Sequence, residues 1–354
     1  MVTVGADDVL LERFAAFATT ASDRIPLYAQ LSAGVAQRPE LARLLIHADP
    51  QQRLPVLLFA AVHFLVLEEP DSELARFYPN LTARPDRGDP LPSFAAFCAA
   101  HHDELVAVLA TRSTQTNEVG RCALLVPPLG LVANENGPLG LLDVGTSAGL
   151  NLALDRYQYR YEPGGDVGND SPVVLSCGTR GAVQVPDALP PIGSRLGLDR
   201  NPVDLDDEAE VRWLEACVWP DQAERFHRLR AAVELTRHHP PPVRTGDAVV
   251  DLAAAIEHVG RDHHPVVTNT WVLNYLAPDE RTAYLAVLAD VGAERDLSWI
   301  YAESPSLVGP EIPVPEDPDL AHTTVLTLVR WRSGERSVAH LGVAHPHGDW
   351  LHWH

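Results

Sequence analysis

The segment Leu141 to Leu152, LLDVGTSAGLNL, constrains this chain more than any other. Two leucines lead into an acid, Asp143, and then Gly145, Ser147 and Gly149 stand at alternate positions before the apolar pattern resumes. That order reads as a strand, a tight turn and a helix start, the connection that opens a βαβ unit. Glycine is needed at the mouth of such a strand because a Cβ would block positive φ and the close approach of backbone or ligand. The amides of the turn and of the following helix N-terminus are suited to receive a polar ligand.

The pattern on either side of this turn differs. From Val9 to about Arg112 apolar residues recur at helical spacing, as in Leu10, Leu11, Phe14 and Phe17 and again in Leu41, Leu44 and Leu45, with breaks at Pro26, Pro39, Pro50, Pro70 and Pro85. After Gly140 short apolar runs alternate with amphipathic segments, which predicts βαβ units and a mostly parallel sheet. The expected strands are Leu141 to Val144, Ser194 to Leu198, Pro242 to Thr245, Pro265 to Asn269, Leu297 to Ala302, Thr323 to Trp331 and Ser337 to Ala344. The last two should form a hairpin through Ser333-Gly334. Helices are expected at Asp206 to Trp219, Gln222 to Arg237, Ala248 to His258 and Pro278 to Asp290, and loops at Pro186 to Pro191 and Pro305 to Pro318.

Composition removes several function classes. The 354 residues carry a formal charge of −21 and no basic stripe, so a nucleic-acid partner is not expected. Lysine is absent, which excludes Schiff-base chemistry, lysine-bound pyridoxal phosphate and the phosphate lysine of a P-loop or kinase. Cys98, Cys122, Cys177 and Cys217 are widely spaced, which signals neither a disulfide framework nor a thiolate metal site and predicts reduced, mostly buried thiols. The acidic N-terminus is unlike a signal peptide, and the apolar run Leu54 to Leu67 is too short to span a bilayer. No membrane partner and a cytoplasmic location are expected.

The glycine turn resembles the first motif of class I S-adenosylmethionine-dependent methyltransferases, an acid followed by three alternate glycines, with Ser147 in place of the middle one. The resemblance continues in order. The second parallel strand ends in Leu198-Asp199, where the family places an acid for the ribose hydroxyls. The third is followed by Gly246-Asp247-Ala248, similar to the segment that contacts adenine. The fourth ends in Asn269-Thr270-Trp271, where the family has substrate-facing polar and aromatic residues. The whole chain also resembles an uncharacterised bacterial family, common in actinobacteria, through its TQTNEVGR, DVGTSAGLN and HPHG-x-W segments.

These resemblances imply an α/β protein with a Rossmann-like doubly wound sheet of the class I methyltransferase type and a C-terminal β-hairpin, preceded by a helical N-terminal region. Residues 1–113 would form a helical lid or substrate-binding region. Residues 114–354 would form the S-adenosylmethionine-binding domain. Asp143 and Asp199 lie much further apart than the ~20 residues of a plain βαβ unit, so a hairpin insertion is expected at about 157–191, near the cofactor cleft. No Asn/Asp-Pro-Pro-aromatic motif follows the fourth strand, which argues against methylation of base amino groups.

The cofactor-binding set implied is Asn117, Glu118, Arg121, Asp143, Gly145, Thr146, Ser147, Gly149, Asn151, Asp199, Arg200, Gly246, Asp247, Ala248, Asn269 and Thr270. Within it, Glu118 would face the ammonium of the cofactor and Arg121 its carboxylate or a substrate acid; a plainer reading has Thr116 capping a helix. Catalytic candidates are His63, Tyr78, Trp271, Asn274 and Tyr275, with Tyr157 and Glu303 as further polar groups, although a histidine on an apolar helix is commonly a hydrogen-bonded core residue. The substrate would be a small molecule, with no metal and an oligomeric state left open.

Other readings stand beside this one. Gly145-Thr-Ser147-Ala-Gly149 also matches the G-x-S-x-G nucleophile elbow, with Ser147 as nucleophile and His345 as base. Yet that elbow follows several strands and an oxyanion loop, whereas a helical region precedes Ser147. His345, His347, His352 and His354 could bind a metal, although packing of the tail over Trp350 and Trp353 is the simpler account. A cofactor-dependent enzyme that does not transfer methyl, or a non-catalytic binding module, would carry the same turn.

Overall fold

The computed structural model describes residues 6–21, 24–307 and 323–354. The chain opens with helices α1 (Ala6–Ala21), α2 (Pro26–Val35), α3 (Pro39–Ala42), α4 (Pro55–Glu68), α5 (Leu91–Ala100), α6 (His102–Thr111) and α7 (Cys122–Asn136), which leads into strand β1 (Leu139–Val144). Strands β2 (Gln158–Glu162), β3 (Gly165–Val167), β4 (Val174–Arg180) and β5 (Ile192–Asp199) follow, then α8 (Glu208–Ala216) and α9 (Ala223–His238). The remainder is β6 (Val243–Thr245), α10 (Leu252–Val259), β7 (His264–Thr270), α11 (Pro278–Glu294), β8 (Leu297–Glu303), β9 (Thr324–Arg332), β10 (Glu335–Ala344) and β11 (Trp350–Trp353). The expected loop Pro305 to Pro318 lies mostly outside the described residues; its start, Pro305–Leu307, is a short 3-10 turn. None of the described helices is long and apolar enough to cross a membrane.

The chain divides into two compact units, the first comprising residues 1–116 and 206–230. Proline sets much of its helical punctuation. Pro26 and Pro39 begin α2 and α3, at the position where a missing N–H costs nothing. The central helix α4, PVLLFAAVHFLVLE, is apolar on every side and is accordingly enclosed. Phe59 on α4 gathers Tyr28, Phe14 and Phe94 at ring-centroid distances of 4.7, 5.8 and 6.0 Å.

The segment 206–230 is a correction to the expected boundary at residue 114, since α8 was read as one of the helices of the sheet. Asp207 caps α8 by accepting from the amides of Ala209 and Glu210. Trp213 and Ala216 then enter the core of the first unit, and the Trp213 indole donates to Ser113 O at 3.0 Å. An amphipathic pattern fixes that one face is buried; it does not say against what.

The second unit, residues 117–205 and 231–354, is built on an eleven-stranded sheet in the order β3-β2-β4-β11-β10-β9-β8-β7-β1-β5-β6. Strands β6, β5, β1, β7 and β8 are mutually parallel, and β9, β10 and β11 then alternate antiparallel. Every residue of β1 and β8 is buried, as expected of parallel strands covered on both faces. From β1 the chain moves outward to β5 and β6, then returns to the other side of β1 for β7 and β8. The order therefore reverses beside β1, and in open α/β sheets the ligand crevice lies outside the carboxyl ends of the strands at such a reversal.

Leu142 and Val144 of β1 point into an apolar cluster with Leu252, Ile256 and Val259 of α10 and Tyr284 and Leu288 of α11. Alternation along the strand turns Asp143 to the opposite face. The hairpin β9–β10 closes through Ser333 and Gly334, both at positive φ (51° and 81°), the conformation a two-residue type I′ turn requires.

The insertion corrects a second expectation. Strand β2 pairs antiparallel with the short β3, but the YQYRYEP and VVLSC runs, β2 and β4, lie parallel and make no hairpin with each other, and in strand order all three stand at the edge remote from β5 and β6, because β4 pairs in parallel with β11. Tyr157, Tyr159 and Tyr161 share one buried face by the strand period, and their hydroxyls donate to Leu150 O, Leu154 O and Ala123 O at 2.6, 2.6 and 2.9 Å. Tyr157 is thereby a fastening for the segment after the glycine turn. Strand β11 had no counterpart in the sequence reading.

Candidate functional site

The turn after β1 puts Gly145, Ser147 and Gly149 at φ values of 70°, 51° and 71°. A Cβ on Gly145 would sit 2.6 Å from Val272 Cγ2, so glycine is required both by the backbone conformation and by the loop that follows β7. The Gly145 amide donates to Leu198 O at 2.8 Å. The Ser147 amide donates to Asp199 Oδ2 at 2.8 Å, and Asn201 N donates to Asp199 Oδ1 at 2.9 Å. Half-buried Asp199, at the end of β5, thus holds the turn in place with one oxygen and its own loop with the other.

Asp143 stands directly beside Thr268 of β7 in the parallel register, and Thr268 Oγ1 donates to Asp143 Oδ1 at 2.9 Å. Burial pushes the Asp143 carboxyl up to about 6, against the opposing pull of the hydrogen bond from Thr268. Thr268 was not among the sequence candidates. Only the pairing of β1 with β7 reveals it.

The loop after β7 is organised by Glu303, the last residue of β8. Its Oε1 accepts from Asn269 Nδ2 and from the Val272 amide, both at 2.7 Å, and its Oε2 from the Leu273 amide at 3.3 Å. Burial raises its carboxyl to about 7, opposed by these donors and by the charge of Arg121. The Asn269 oxygen accepts from Tyr284 OH at 3.2 Å and from Trp299 Nε1 at 2.5 Å. Asn269 is therefore fully enclosed in the sheet and spent at both ends of its amide, a correction to its expected place facing a cofactor.

Trp271 sits in the same loop at φ 57°, a conformation that costs a bulky residue strain. Its amide donates to Ala302 O at 3.0 Å and its indole to Thr324 Oγ1 at 2.7 Å. Asn274 and Tyr275 follow on an exposed 3-10 turn, Tyr275 at 61% exposure.

The TQTNEVGR and HPHG segments, remote in sequence, meet at this end of the sheet. Half-buried Asn117 precedes Glu118, whose Oε1 accepts from the Gly120 amide at 2.9 Å and whose Oε2 lies 3.6 Å from His347 Nδ1. Arg121 donates from Nε to Pro346 O at 2.8 Å and from Nη1 to Thr270 O at 3.1 Å, with its guanidinium 6.0 Å from the Trp271 ring centroid. Glu118 and Arg121 are both buried, at 4% and 6% exposure, which makes them an acid and a base held by fixed partners beside the strand reversal. His345 Nδ1 lies 3.0 Å from Asp349 Oδ2. Among the described residues, no three His, Cys, Asp or Glu side chains gather in a geometry that could hold a metal ion.

Four expected cofactor contacts are otherwise employed. Asp247 Oδ1 accepts from the amides of Val249 and Val250, and its other oxygen meets Arg200. The Gly246 amide donates to Asp199 O at 2.8 Å. Ala248 packs into the apolar cluster under β1 and β5. Asn151 accepts at Oδ1 from the thiol of Cys122 at 3.3 Å. The four cysteines are free thiols, three of them buried, and burial pushes Cys98 and Cys177 up to about 12.

His63 and Tyr78 belong to the first unit and are wholly enclosed there, their rings 5.1 Å apart. His63 Nδ1 lies 3.1 Å from Ala216 O, which can only accept, so the ring proton is on Nδ1 and Nε2 accepts from Asn80 Nδ2 at 3.0 Å. Burial lowers this imidazole to about 3. Both residues are withdrawn as catalytic candidates: neither ring nitrogen of His63 is open to a reactant, and neither side chain meets solvent. A cavity of about 350 Å³ in the second unit, between α7 and Gln184–Pro191, contains none of the candidate residues.

Fold and site together describe an α/β protein whose glycine turn, Asp143 and Asp199 gather at a strand reversal, with the HPHG and VGR turns holding buried Glu118 and Arg121 at the same end of the sheet. The chain belongs to the family described as "Uncharacterized protein conserved in bacteria (DUF2332)", which matches residues 11–353. No curated protein matches it. Among solved structures it is similar to the X-ray structure of the sugar N-methyltransferase KedS8 from Streptoalloteichus sp ATCC 53650, at 15% identity over 63% of this chain and 71% of that one. The TM-score of 0.25 is too low to tie either fold or chemistry to this protein.

Proposed function

We propose that this chain binds S-adenosylmethionine in the crevice at the carboxyl ends of β1, β5 and β7 and transfers its methyl group to a small molecule. The observation that carries the reading is the joining of the glycine turn to Asp199 beside the strand reversal. The donor set suits the group. An amino-acid end needs an acid for its ammonium and a cation for its carboxylate, roles that Glu118 and Arg121 would take up beside the partners they already hold. A ribose diol needs an acceptor, and each Asp199 oxygen retains lone pairs beyond the one its amide donor uses.

The cofactor would bring a methyl group on a sulfonium that is itself the leaving group. The protein's share is then to orient the acceptor and exclude water. Trp271, pinned at both its amide and its indole, would form a fixed wall, with Asn274 and exposed Tyr275 toward the substrate. The acidic total and the lack of a basic stripe favour a small substrate over a nucleic acid.

Calorimetry with S-adenosylmethionine and S-adenosylhomocysteine tests this directly. Heat of binding is expected, and its absence at millimolar ligand would overturn the proposal.

One observation favours a second reading, a serine hydrolase: Ser147 stands at φ 51°, as a nucleophile on a sharp turn must. Against it, both neighbours of β1 in the sheet come later in the chain, and among the described residues no strand precedes β1 to carry an oxyanion loop. Covalent labelling of Ser147 by a fluorophosphonate would reverse the preference.

A further inference from the structure

Arg200 follows β5, Asp247 follows β6, and Glu280 lies in the first turn of α11, after β7. In strand order β1 lies between β5 and β7, so the residues that follow those two strands flank its carboxyl end, and a contact from Arg200 to Glu280 ties one side to the other. The guanidinium makes that tie. Its Nε donates to Asp247 Oδ2 at 2.9 Å and its Nη2 to Glu280 Oε1 at 2.6 Å.

Neither carboxylate depends on Arg200 to stay charged or in position. Asp247 Oδ1 accepts the amides of Val249 and Val250 at 2.8 and 3.0 Å, and Glu280 Oε2 accepts the Ala277 amide at 2.7 Å. The side chains of Arg200, Asp247 and Glu280 are 45%, 32% and 33% exposed. Ion pairs in such surroundings are weak and screened by salt. Releasing the guanidinium strands no buried charge, so the bridge can open at small cost.

We infer that Arg200 is a latch across the crevice, closed by Asp247 and Glu280 and displaced when the flat heterocycle of a nucleoside ligand enters between the loops after β5, β6 and β7. This rests on the cofactor reading above and assigns Arg200 a role opposed to simple ligand contact. A ligand that must displace a closed latch binds with an apparent affinity reduced by the fraction of molecules that are open. Removing the latch should therefore tighten binding, whereas removing a contact would weaken it.

The test is calorimetric titration of S-adenosylhomocysteine into the wild type, Arg200→Met and Glu280→Gln proteins at low and high salt. Glu280→Gln keeps a side-chain oxygen for the Ala277 amide, so the start of α11 stays capped while one arm of the latch loses its charge. Arg200→Met should bind about five- to tenfold tighter than wild type at low salt, with a smaller gain for Glu280→Gln and a gap that narrows as salt opens the wild-type latch. Equal or weaker binding by both variants overturns the latch while leaving the cofactor reading intact. No binding by any of the three proteins overturns both.

Discussion

The amide of Ser147 donates to Asp199 at 2.8 Å, so the turn that ends β1 is built against the acid that ends β5. Replacing Asp199 by Ala would release two amides, those of Ser147 and Asn201, and remove the acceptor for a ribose diol. The Ser147 hydroxyl is not needed for the tie, which uses the backbone. Asp199→Ala should therefore lower S-adenosylhomocysteine affinity about tenfold or more, and Ser147→Ala should change it less than about threefold. The opposite ranking in calorimetry would point to chemistry at the serine.

Glu303 and Asp143 give the second unit a pH dependence of definite sign. Both carboxyls are raised by burial, Glu303 from 4.5 to about 7 and Asp143 from 3.8 to about 6, so between these values the folded protein holds more protons than the unfolded chain. Their contribution is thus most favourable below pH 4 and is lost as pH rises through 6 to 7. At about 1.4 kcal/mol per unit, Glu303 alone accounts for a loss of about 3 kcal/mol. Glu303→Gln cannot ionise and should show a flatter stability profile over this range in denaturant titrations at stepped pH. It should also be less stable than wild type at pH 5, because one of its two terminal groups can no longer accept a loop amide. A profile as steep as wild type would show that Glu303 does not titrate as its burial requires.

Much of this site was legible because glycine, acid and turn chemistry are local. The run DVGTSAG demanded positive φ at its glycines, and the I′ turn at Ser333-Gly334 announced the β9–β10 hairpin for the same reason. What stayed hidden depends on pairing between distant segments. Thr268 becomes the partner of Asp143 only through the β1–β7 register, and the insertion goes to the far edge only because β4 finds β11. Asp247 illustrates a different failure. An acid after a strand can face a ligand or cap the next turn, and the sequence GDAVVD satisfies both until its amide donors are seen.

His63 gives the helical unit the opposite sign. Its imidazole is lowered from 6.5 to about 3, so below pH 6.5 the unfolded chain takes up a proton that the folded unit refuses. The neutral ring's contribution is complete above pH 6.5 and is lost progressively down to about pH 3. Hydrogen exchange, corrected for intrinsic rates, should show peptides of α4 losing protection as pH falls from 7 to 4. His63→Gln should be less stable at pH 7 yet less sensitive to acid. Equal acid sensitivity in the two proteins would place the labile group elsewhere.

At the site, Gly348 of the HPHG turn and Gly120 of the VGR turn pack backbone against backbone. A Cβ on Gly348, whose φ is 84°, would lie 2.1 Å from Gly120 O, and one on Gly120 would lie 2.3 Å from His347 O. Because the obstructing atoms are backbone, relief requires the two turns to separate, and Arg121 would then lose its bond to Pro346 O. Gly348→Ala should cost about 3 kcal/mol or more, from left-handed strain and overpacking together, and should also weaken S-adenosylhomocysteine binding. Gly334→Ala is the matched control, with a similar φ of 81° but its nearest neighbour, Ala293 O, at 3.5 Å. It should cost about 1 kcal/mol and leave binding untouched. Denaturant titration and calorimetry on the two variants separate the strain common to both from the contact that only Gly348 makes, and equal losses would show that the HPHG turn does not brace Glu118 and Arg121.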